Sequence, residues 1–194
     1  MTKSAKFDRQ EVINKATDLY WAKGFHATSM RNLQDEVDMR PGSIYAAFGS
    51  KDDLFKETLK NYANMGLTQI AKCRNEHDSP LAALSAFVKS VVLDTQENAP
   101  NGMCMLSKTI AELTSEHQEL IDVTCGHLNN IENEVKNLII EGQSLGEIDK
   151  NKDPSHLASH VQIQIAGLRA YAKTNGDKSK LESMIDDIFT HYPF

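Results

Sequence analysis

A chain of 194 residues, 25% of them charged and 40% hydrophobic, has the composition of a globular protein with one or two small domains. It has no apolar run of about 18 residues, which excludes a membrane span, and its start, MTKSAKFDRQ, lacks the apolar core of a signal peptide, so we expect a cytoplasmic protein. Three scattered cysteines without a CxxC pair, Cys73, Cys104 and Cys125, do not suggest a disulfide framework.

The net charge of −6 is distributed unevenly along the chain. Residues 1–51 contain eight Lys/Arg and six Asp/Glu, a balance of +2, whereas residues 61–194 contain eleven and eighteen, a balance of −7. Any anionic partner is therefore expected at the N-terminal end.

The first predicted helix begins near residue 8 and ends near residue 24. Asp8 can accept hydrogen bonds from the first free N–H groups, and Gly24 is typical of a C-terminal stop. The apolar stripe between them recurs at spacings of three and four residues, at Val12, Ala16, Leu19 and Tyr20. A second, shorter helix is predicted from about residue 29 to residue 37, with Thr28 or Ser29 as its cap.

The third predicted helix follows Pro41, which suits a first helical turn because its missing N–H would have no partner there. Ile44 and Phe48, four residues apart, face inward and leave small or polar residues on the other sides. A helix that enters a DNA major groove, about 12 Å wide, needs this division into an apolar back and a small or polar front. With a longer helix beginning near Lys51, these elements have the spacing of a helix-turn-helix.

The rest of the chain is also predicted to be helical, which makes the fold all-α with about nine helices. The candidate helices cover about residues 80–96, 103–114, 117–142, 154–172 and 178–190. Loop-type compositions separate them at residues 77–80, 98–102, 145–154 and 174–176.

The stretch MRPGSIYAAFGSKDDLF, Met39 to Phe55, resembles the DNA-binding signature of TetR-type transcriptional regulators (TetR/AcrR type). Upstream, the pattern of Leu19-Tyr20, Gly24-Phe25 and Thr28-Ser29-Met30 is similar to the family's first two helices. The resemblance covers residues 8–55. It implies a helix-turn-helix DNA-binding domain at residues 1–50 and a helical ligand-binding and dimerisation domain at residues 51–194. It also implies a homodimer, a palindromic double-stranded DNA operator and an effector that lowers DNA affinity.

Two positions depart from the family's pattern. Asp38 stands where the turn usually has glycine, and we expect the turn to survive because Asp tolerates left-handed backbone geometry. Arg40 stands where a serine-type cap is common, which weakens capping and adds a charge near the groove. Operator preference can therefore not be copied from a relative.

The DNA contacts are predicted on the second and third helices and at the start of the fourth. They are Thr28, Ser29, Met30, Arg31, Arg40, Pro41, Gly42, Ser43, Tyr45, Ala46 and Lys51. Tyr45 and Lys51 are expected to reach phosphates. The alternatives are that Tyr45 is a half-buried packing residue and that Lys51 is only a solvated surface lysine.

An effector site is predicted among the central helices. Cys104 follows a glycine at the start of a helix, where the helix N-terminus favours a thiolate. Some TetR-type regulators that respond to electrophiles or oxidants carry a cysteine at a similar place, so Cys104 is a redox candidate; otherwise it is a small buried residue. The candidate cavity residues are Tyr62, Met65, Phe87, Met103 and Cys104, although core filling explains the same side chains.

Metal and cofactor sites are not predicted. His156 and His160 are four residues apart on one helix face and could supply two metal ligands, but no third ligand is evident nearby.

Two apolar stripes near the C-terminus predict the dimer interface. They comprise Leu157, Val161, Ile165 and Leu168 on one helix and Leu181, Ile185 and Ile188 on the next. Paired with a second copy, these helices would form a four-helix bundle. The alternative is that both stripes pack only on their own chain.

We therefore predict an effector-responsive transcriptional repressor rather than an enzyme. An all-helical enzyme would need a nucleophile with a base or a metal cluster, and only Cys104 with the distant His117 hints at such a pair. A DNA-binding regulator without a ligand is the other alternative.

Overall fold

The computed structural model describes residues 7–94, 102–191 and 194, and within them it forms nine α-helices and no strand. The helices are α1 (Arg9–Lys23), α2 (Met30–Val37), α3 (Pro41–Phe48), α4 (Lys51–Glu76), α5 (Pro80–Lys89), α6 (Met105–Glu112), α7 (Gln118–Leu145), α8 (Pro154–Ala172) and α9 (Lys178–Thr190). The predicted all-α fold is confirmed. The predicted range 80–96 splits into α5 and a π-helical turn, Ser90–Asp94, and its last two residues lie outside the described part.

The ends of the N-terminal helices follow from local hydrogen bonding. The Asp8 carboxylate accepts from the N–H groups of Gln10 and Glu11, and Gly24 ends α1 with a φ of 90°. Ser29, rather than Thr28, caps α2. Asp38 adopts the left-handed conformation expected of it, with φ 51° and ψ 46°, and so turns the chain from α2 into α3.

The chain divides into two compact units that are each discontinuous in sequence. The first unit contains Met1–Ala63 and Met105–His127, and the second contains Asn64–Cys104 and Leu128–Phe194. Helices α4 and α7 contribute to both. The predicted boundary at residue 50 stays a prediction.

The core of the first unit is aromatic at the point where α1, α4 and the α1–α2 turn meet. The ring of Phe55 lies 4.7 Å from that of Tyr20 and 4.9 Å from that of Phe25, measured between centroids. Ile44 and Phe48 bury the back of α3 against this unit, with 1% and 5% of their surface exposed. Burial of such large apolar side chains contributes about 1.5–3 kcal/mol each and fixes α3 firmly.

The second unit is built from α5, α8 and α9 with the adjoining parts of α4 and α7. Its core includes Leu84, Phe87, Val161 and Leu181. Ion pairs tie the helices at the surface: Arg74 on α4 with Glu141 on α7 at 2.6 Å, and Lys89 on α5 with Asp186 on α9 at 2.7 Å. Among the described helices, none has the length and apolarity that crossing a bilayer requires.

Candidate DNA interface

Helix α3 presents the face that the sequence predicts for a recognition helix. Arg40 precedes it in an extended conformation and makes no side-chain cap, so its guanidinium is not committed to the helix end. Pro41, Gly42, Ser43, Tyr45 and Ala46 are exposed, and Tyr45 keeps 47% of its surface accessible. Since Ile44 and Phe48 point inward, the predicted division between apolar back and open front is confirmed.

The N-terminus of α2 is a capping box. The Ser29 hydroxyl accepts from the Asn32 N–H at 3.1 Å, and the Asn32 side chain accepts from the Ser29 N–H at 3.0 Å. Arg31 is exposed and Met30 is half-buried at this end. Helix N-termini of this kind bind phosphate through their free N–H groups and dipole.

Thr28 does not lie on this surface. It is fully buried, and its hydroxyl donates to the Gly24 carbonyl at 2.6 Å. A buried side chain with its donor already engaged cannot reach a DNA phosphate, so the predicted contact by Thr28 is replaced by a structural role in the turn between α1 and α2.

The Lys51 ammonium is directed at the same turn. Its Nζ donates to the Phe25 carbonyl at 2.7 Å and lies 4.2 Å from the centroid of the Phe25 ring. Burial lowers the pKa of Lys51, and the nearby Asp52 and Glu112 carboxylates act in the opposite direction. An ammonium has three donors, so a phosphate contact by Lys51 stays a prediction. Its observed contact holds the start of α4 to the turn.

Two side chains of α6 also bind the α1–α2 turn and the end of α1, and the sequence predicts neither contact. The Glu112 carboxylate accepts from the N–H of Phe25 at 3.1 Å and of His26 at 2.7 Å. The Lys108 ammonium donates to the last carbonyls of α1, those of Trp21 at 3.1 Å and Ala22 at 2.9 Å. The only available signal was that Lys108 and Glu112, four apart, share one face of α6.

Glycine at position 24 permits this arrangement. A Cβ at position 24 would overlap the Glu112 carboxylate. The φ of 90° at Gly24 is also one that side-chain-bearing residues rarely adopt. We call Lys51, Lys108 and Glu112 together the turn clamp.

Comparison with known proteins identifies the family. The sequence matches the model "Bacterial regulatory proteins, tetR family" over residues 12–58 and the model "Tetracyclin repressor-like, C-terminal domain" over residues 80–188. The chain belongs to the TetR family. It is a DNA-binding regulator of transcription, which confirms the prediction of a regulator rather than an enzyme.

Two curated transcriptional regulators match this TetR-family chain over most of its length. It is 24% identical to the transcriptional repressor ComR of Escherichia coli over 184 residues, 90% of this chain and 84% of that protein. It is 20% identical to the regulator YezE of Bacillus subtilis over 187 residues, 96% of each chain.

Solved structures of the same fold include a regulator on DNA. A cysteine mutant of the TetR-family regulator CifR, complexed with 26-base-pair operator DNA, superposes with a TM-score of 0.87 at 22% identity and covers 98% of this chain and 100% of that one. A TetR-family regulator from Cytophaga hutchinsonii gives a TM-score of 0.83 at 18% identity, with coverages of 97% and 96%. At these identities the likeness concerns the fold.

The predicted effector residues of this TetR-family chain lie in different surroundings. Tyr62, in the first unit, stacks its ring edge-on against Trp21 with centroids 5.0 Å apart. In the second unit, Met65 is 53% exposed and Phe87 is 3% exposed in the core. Met103 and Cys104 are half-buried directly before α6. The first three therefore have packing or surface positions, and their effector role stays a prediction.

A surface cleft of about 370 Å³ lies between α4 and α7 within the second unit. Its lining includes Ile70, Leu138 and the Arg74–Glu141 ion pair, and contains none of the five predicted effector residues.

The other candidate thiols and histidines have ordinary environments. Burial raises the pKa of the Cys73 thiol, which keeps it protonated, and Cys125 is exposed. His156 is exposed. The pKa of His160 is lowered, mainly by burial and to a smaller extent by the neighbouring His156. In the described part of the chain, no three His, Cys, Asp or Glu side chains come together as a metal site would require.

The two stripes predicted for dimerisation point into the protomer's own core. Leu157, Val161, Leu168, Leu181, Ile185 and Ile188 are at most 7% exposed there, and Ile165 is partly buried against them. These side chains are covered within the protomer, as in the alternative that both stripes pack on their own chain, and the place where a second copy would bind stays a prediction. The opposite face of α8 exposes Ile163, at 67%, whereas Met184, at 37%, lies between Leu181 and Ile188 at the exposed edge of the buried α9 stripe.

Proposed function

We propose that this TetR-family regulator is a cytoplasmic repressor that binds a palindromic operator as a homodimer and that a small-molecule or thiol-reactive effector releases it from DNA. The observation that carries the proposal is the exposed face of α3, with Arg40, Ser43 and Tyr45 available to a groove. Curated relatives named as repressors, ComR and BdcR of Escherichia coli and DhaR of Mycobacterium, support repression.

In this proposal each protomer inserts residues 40–47 into a major groove. Arg40 is long enough to reach base edges, and the small Ser43 and Ala46 allow the helix to approach closely. Phosphates are held by the Tyr45 hydroxyl and by the α2 N-terminus with Ser29, Met30 and Arg31. Two such helices in a dimer would read half-sites about 34 Å apart, which requires a palindrome.

The dimer is proposed to form through the outer face of α8, at Ile163, and the exposed edge of the α9 stripe, at Met184. The exposure of Ile163 and Met184 on helices whose inner faces are buried supports a covering partner, and a second copy supplies one with matching symmetry.

The effector is proposed to act on the segment around Cys104. This residue is half-buried and directly precedes α6, whose side chains Lys108 and Glu112 hold the α1–α2 turn. The fold can hold a ligand in at least one relative structure, since the Bacillus subtilis regulator FadR, with a TM-score of 0.75 at 16% identity, was solved in complex with stearoyl-CoA.

Selection of bound fragments from a random DNA pool tests the DNA-binding half of the proposal. We expect a palindromic consensus and a complex with the mass of two chains per duplex. Tyr45→Ala should abolish retention in a gel shift without changing the mass of the free protein. Lys51→Ala should also abolish retention, either because a phosphate contact is lost or because the bond from Lys51 to the Phe25 carbonyl is lost. A non-palindromic consensus, or full retention by both variants, would contradict the proposal.

Titration of the bound complex with a thiol oxidant or an electrophile tests the effector half. We expect release of wild type from its operator and retention of Cys104→Ser, whereas Cys125→Ser, which alters an exposed thiol, should behave as wild type. Equal release of the Cys104 variant would remove the thiol mechanism and leave a non-covalent ligand as the effector.

A further inference from the structure

We propose that Glu112, with Lys108, is a positioning residue for DNA binding: from α6 it holds the α1–α2 turn, and through the turn it orients the phosphate-facing N-terminus of α2. The inference rests on the proposed DNA interface. It assigns to two residues of the C-terminal sequence a direct part in building the DNA-binding surface.

The hold of Glu112 on the turn is charge-assisted and two-pronged. Its two carboxylate oxygens accept separately from the N–H groups of Phe25 and His26, at 3.1 and 2.7 Å. Hydrogen bonds from N–H groups to a carboxylate are about twice as strong as neutral ones, and two parallel bonds fix direction as well as distance. The Phe25 side chain is 4% exposed, so water is a poor substitute beside it.

The other two members of the turn clamp act on the carbonyl side. Lys108 binds the final carbonyls of α1, where the helix dipole favours a cation. Lys51 binds the Phe25 carbonyl and lies over its ring. The backbone of Phe25 is thus held by an anion at its N–H and by a cation at its carbonyl, which restricts rotation of the turn.

The held turn is connected to α2 by a short chain of contacts. The Thr28 N–H donates to the Phe25 carbonyl at 3.3 Å, and the Thr28 hydroxyl donates to the Gly24 carbonyl at 2.6 Å. The next residue, Ser29, is the cap of α2. Three residues therefore separate the His26 amide that Glu112 binds from the helix end that is proposed to meet phosphate.

The sign of the effect separates positioning from simple electrostatics. Removing the negative charge of Glu112 makes the protein less repulsive to DNA, so electrostatics alone predicts tighter binding. Loss of the hold on the turn predicts weaker binding, because α2 must then be ordered at the cost of affinity.

The test compares the affinity for the selected operator in wild type and in four single variants of the full chain. Glu112→Ala removes both acceptors, and Glu112→Gln retains one amide oxygen as an acceptor. Glu116→Gln makes the same charge change at an exposed neighbouring site, where the side chain has no hydrogen bond to the described residues. Arg74→Gln breaks an ion pair in the second unit and controls for general loss of stability. Amide hydrogen exchange at residues 25 and 26 is followed in the free proteins.

We expect Glu112→Ala to bind the operator about tenfold more weakly, with an unchanged dependence of affinity on salt and faster exchange at both amides. Glu112→Gln should lose less, because the amide oxygen restores one bond. Glu116→Gln and Arg74→Gln should stay within about twofold of wild type. Should Glu112→Ala not fold, Glu112→Gln and Lys108→Met provide the same comparison.

Three results would overturn the inference. The first is that Glu112→Ala binds the operator as tightly as wild type, or more tightly, although its amides exchange faster. The second is that Arg74→Gln loses as much operator affinity as Glu112→Ala. The third is a change of about one in the slope of log affinity against log salt concentration for Glu112→Ala, which would indicate a direct effect on a phosphate contact. If wild type selects no DNA at all, the proposed interface itself fails, and that result precedes any variant.

Discussion

Replacement of Tyr20 by phenylalanine is expected to stabilise the protein. Tyr20 is 1% exposed, and its hydroxyl has no hydrogen-bond partner among the described residues. Burial raises the pKa of this hydroxyl, and the neighbouring Asp52 and Tyr45 raise it further, so the group is neutral and poorly solvated. The ring itself packs edge-on against Phe55 at 4.7 Å, and phenylalanine retains that contact.

The magnitude follows from the cost of an unmade hydrogen bond. Leaving a buried hydroxyl without a partner costs about 1–3 kcal/mol, and part of that is recovered when the oxygen is removed. We expect a gain of about 1 kcal/mol in the free energy of unfolding, or about 2–4 °C in the melting temperature for a chain of this size.

A matched control lies one turn earlier on the same helix. Thr17 is also 1% exposed, but its hydroxyl donates to the Ile13 carbonyl at 2.7 Å and accepts from the Asn61 side chain at 3.1 Å. Thr17→Val removes a bonded hydroxyl and should cost about 1 kcal/mol. Urea unfolding of the three proteins should therefore give opposite signs for the two variants. If Tyr20→Phe is destabilised as much as Thr17→Val, the Tyr20 hydroxyl has a partner, such as a buried water, and the reasoning is wrong.

Three further predictions concern DNA, acid stability and assembly. If the Arg40 guanidinium binds a phosphate, Arg40→Ala should weaken operator binding and reduce the slope of log affinity against log salt concentration by about 0.9. If it contacts base edges, the variant should change base preference instead. Unchanged affinity, salt dependence and base preference would refute both roles. Hydrogen bonding by Arg74 holds the pKa of Glu141 below its ordinary 4.5. The pair therefore stabilises the fold fully above about pH 4.5, and this contribution is lost as the pH falls through the lowered pKa. Glu141→Gln should lose less stability than wild type when unfolding is measured from about pH 6 to about pH 3. Ile163→Glu should shift the mass in analytical ultracentrifugation from dimer to monomer, and a mass unchanged at micromolar concentration would exclude the outer face of α8 as the interface.

Features that depend on neighbours in sequence were predictable. Asp8 caps α1, Pro41 begins α3, and Asp38 takes the left-handed turn that glycine usually fills, because each of these is decided within four residues of chain. The inward direction of Ile44 and Phe48 follows from helical periodicity alone. These local rules were sufficient to predict which side of α3 is buried and which side is exposed.

Features that depend on distant contacts were beyond the sequence. An amphipathic stripe indicates that one face of a helix is buried, but it does not show which surface covers it. The α8 and α9 stripes therefore fit a second copy and the protomer's own core equally well, and it is the core that covers them. The bonds from Glu112 to Phe25 and His26 join residues 87 and 86 positions apart, and no pattern in either segment anticipates them. The position of Thr28 in the motif predicts a DNA contact, but its hydroxyl is buried and bonded within the turn. The turn also takes up one donor of Lys51, whose phosphate contact stays a prediction.

The division of the first unit between two stretches of chain limits how far this regulator can be recombined. Residues 1–50 alone contain the whole helix-turn-helix, yet a chimera that joined them to another regulator's sensor would leave Lys108 and Glu112 behind. An exchange that keeps the DNA-reading element intact has to carry both stretches, Met1–Ala63 and Met105–His127, and receive a foreign segment in the gap between them. Residues 64–104 are thus an insertion in the sequence of the first unit. An engineered biosensor should therefore exchange residues 64–104 and the residues after 127, and should not be joined at the end of α3.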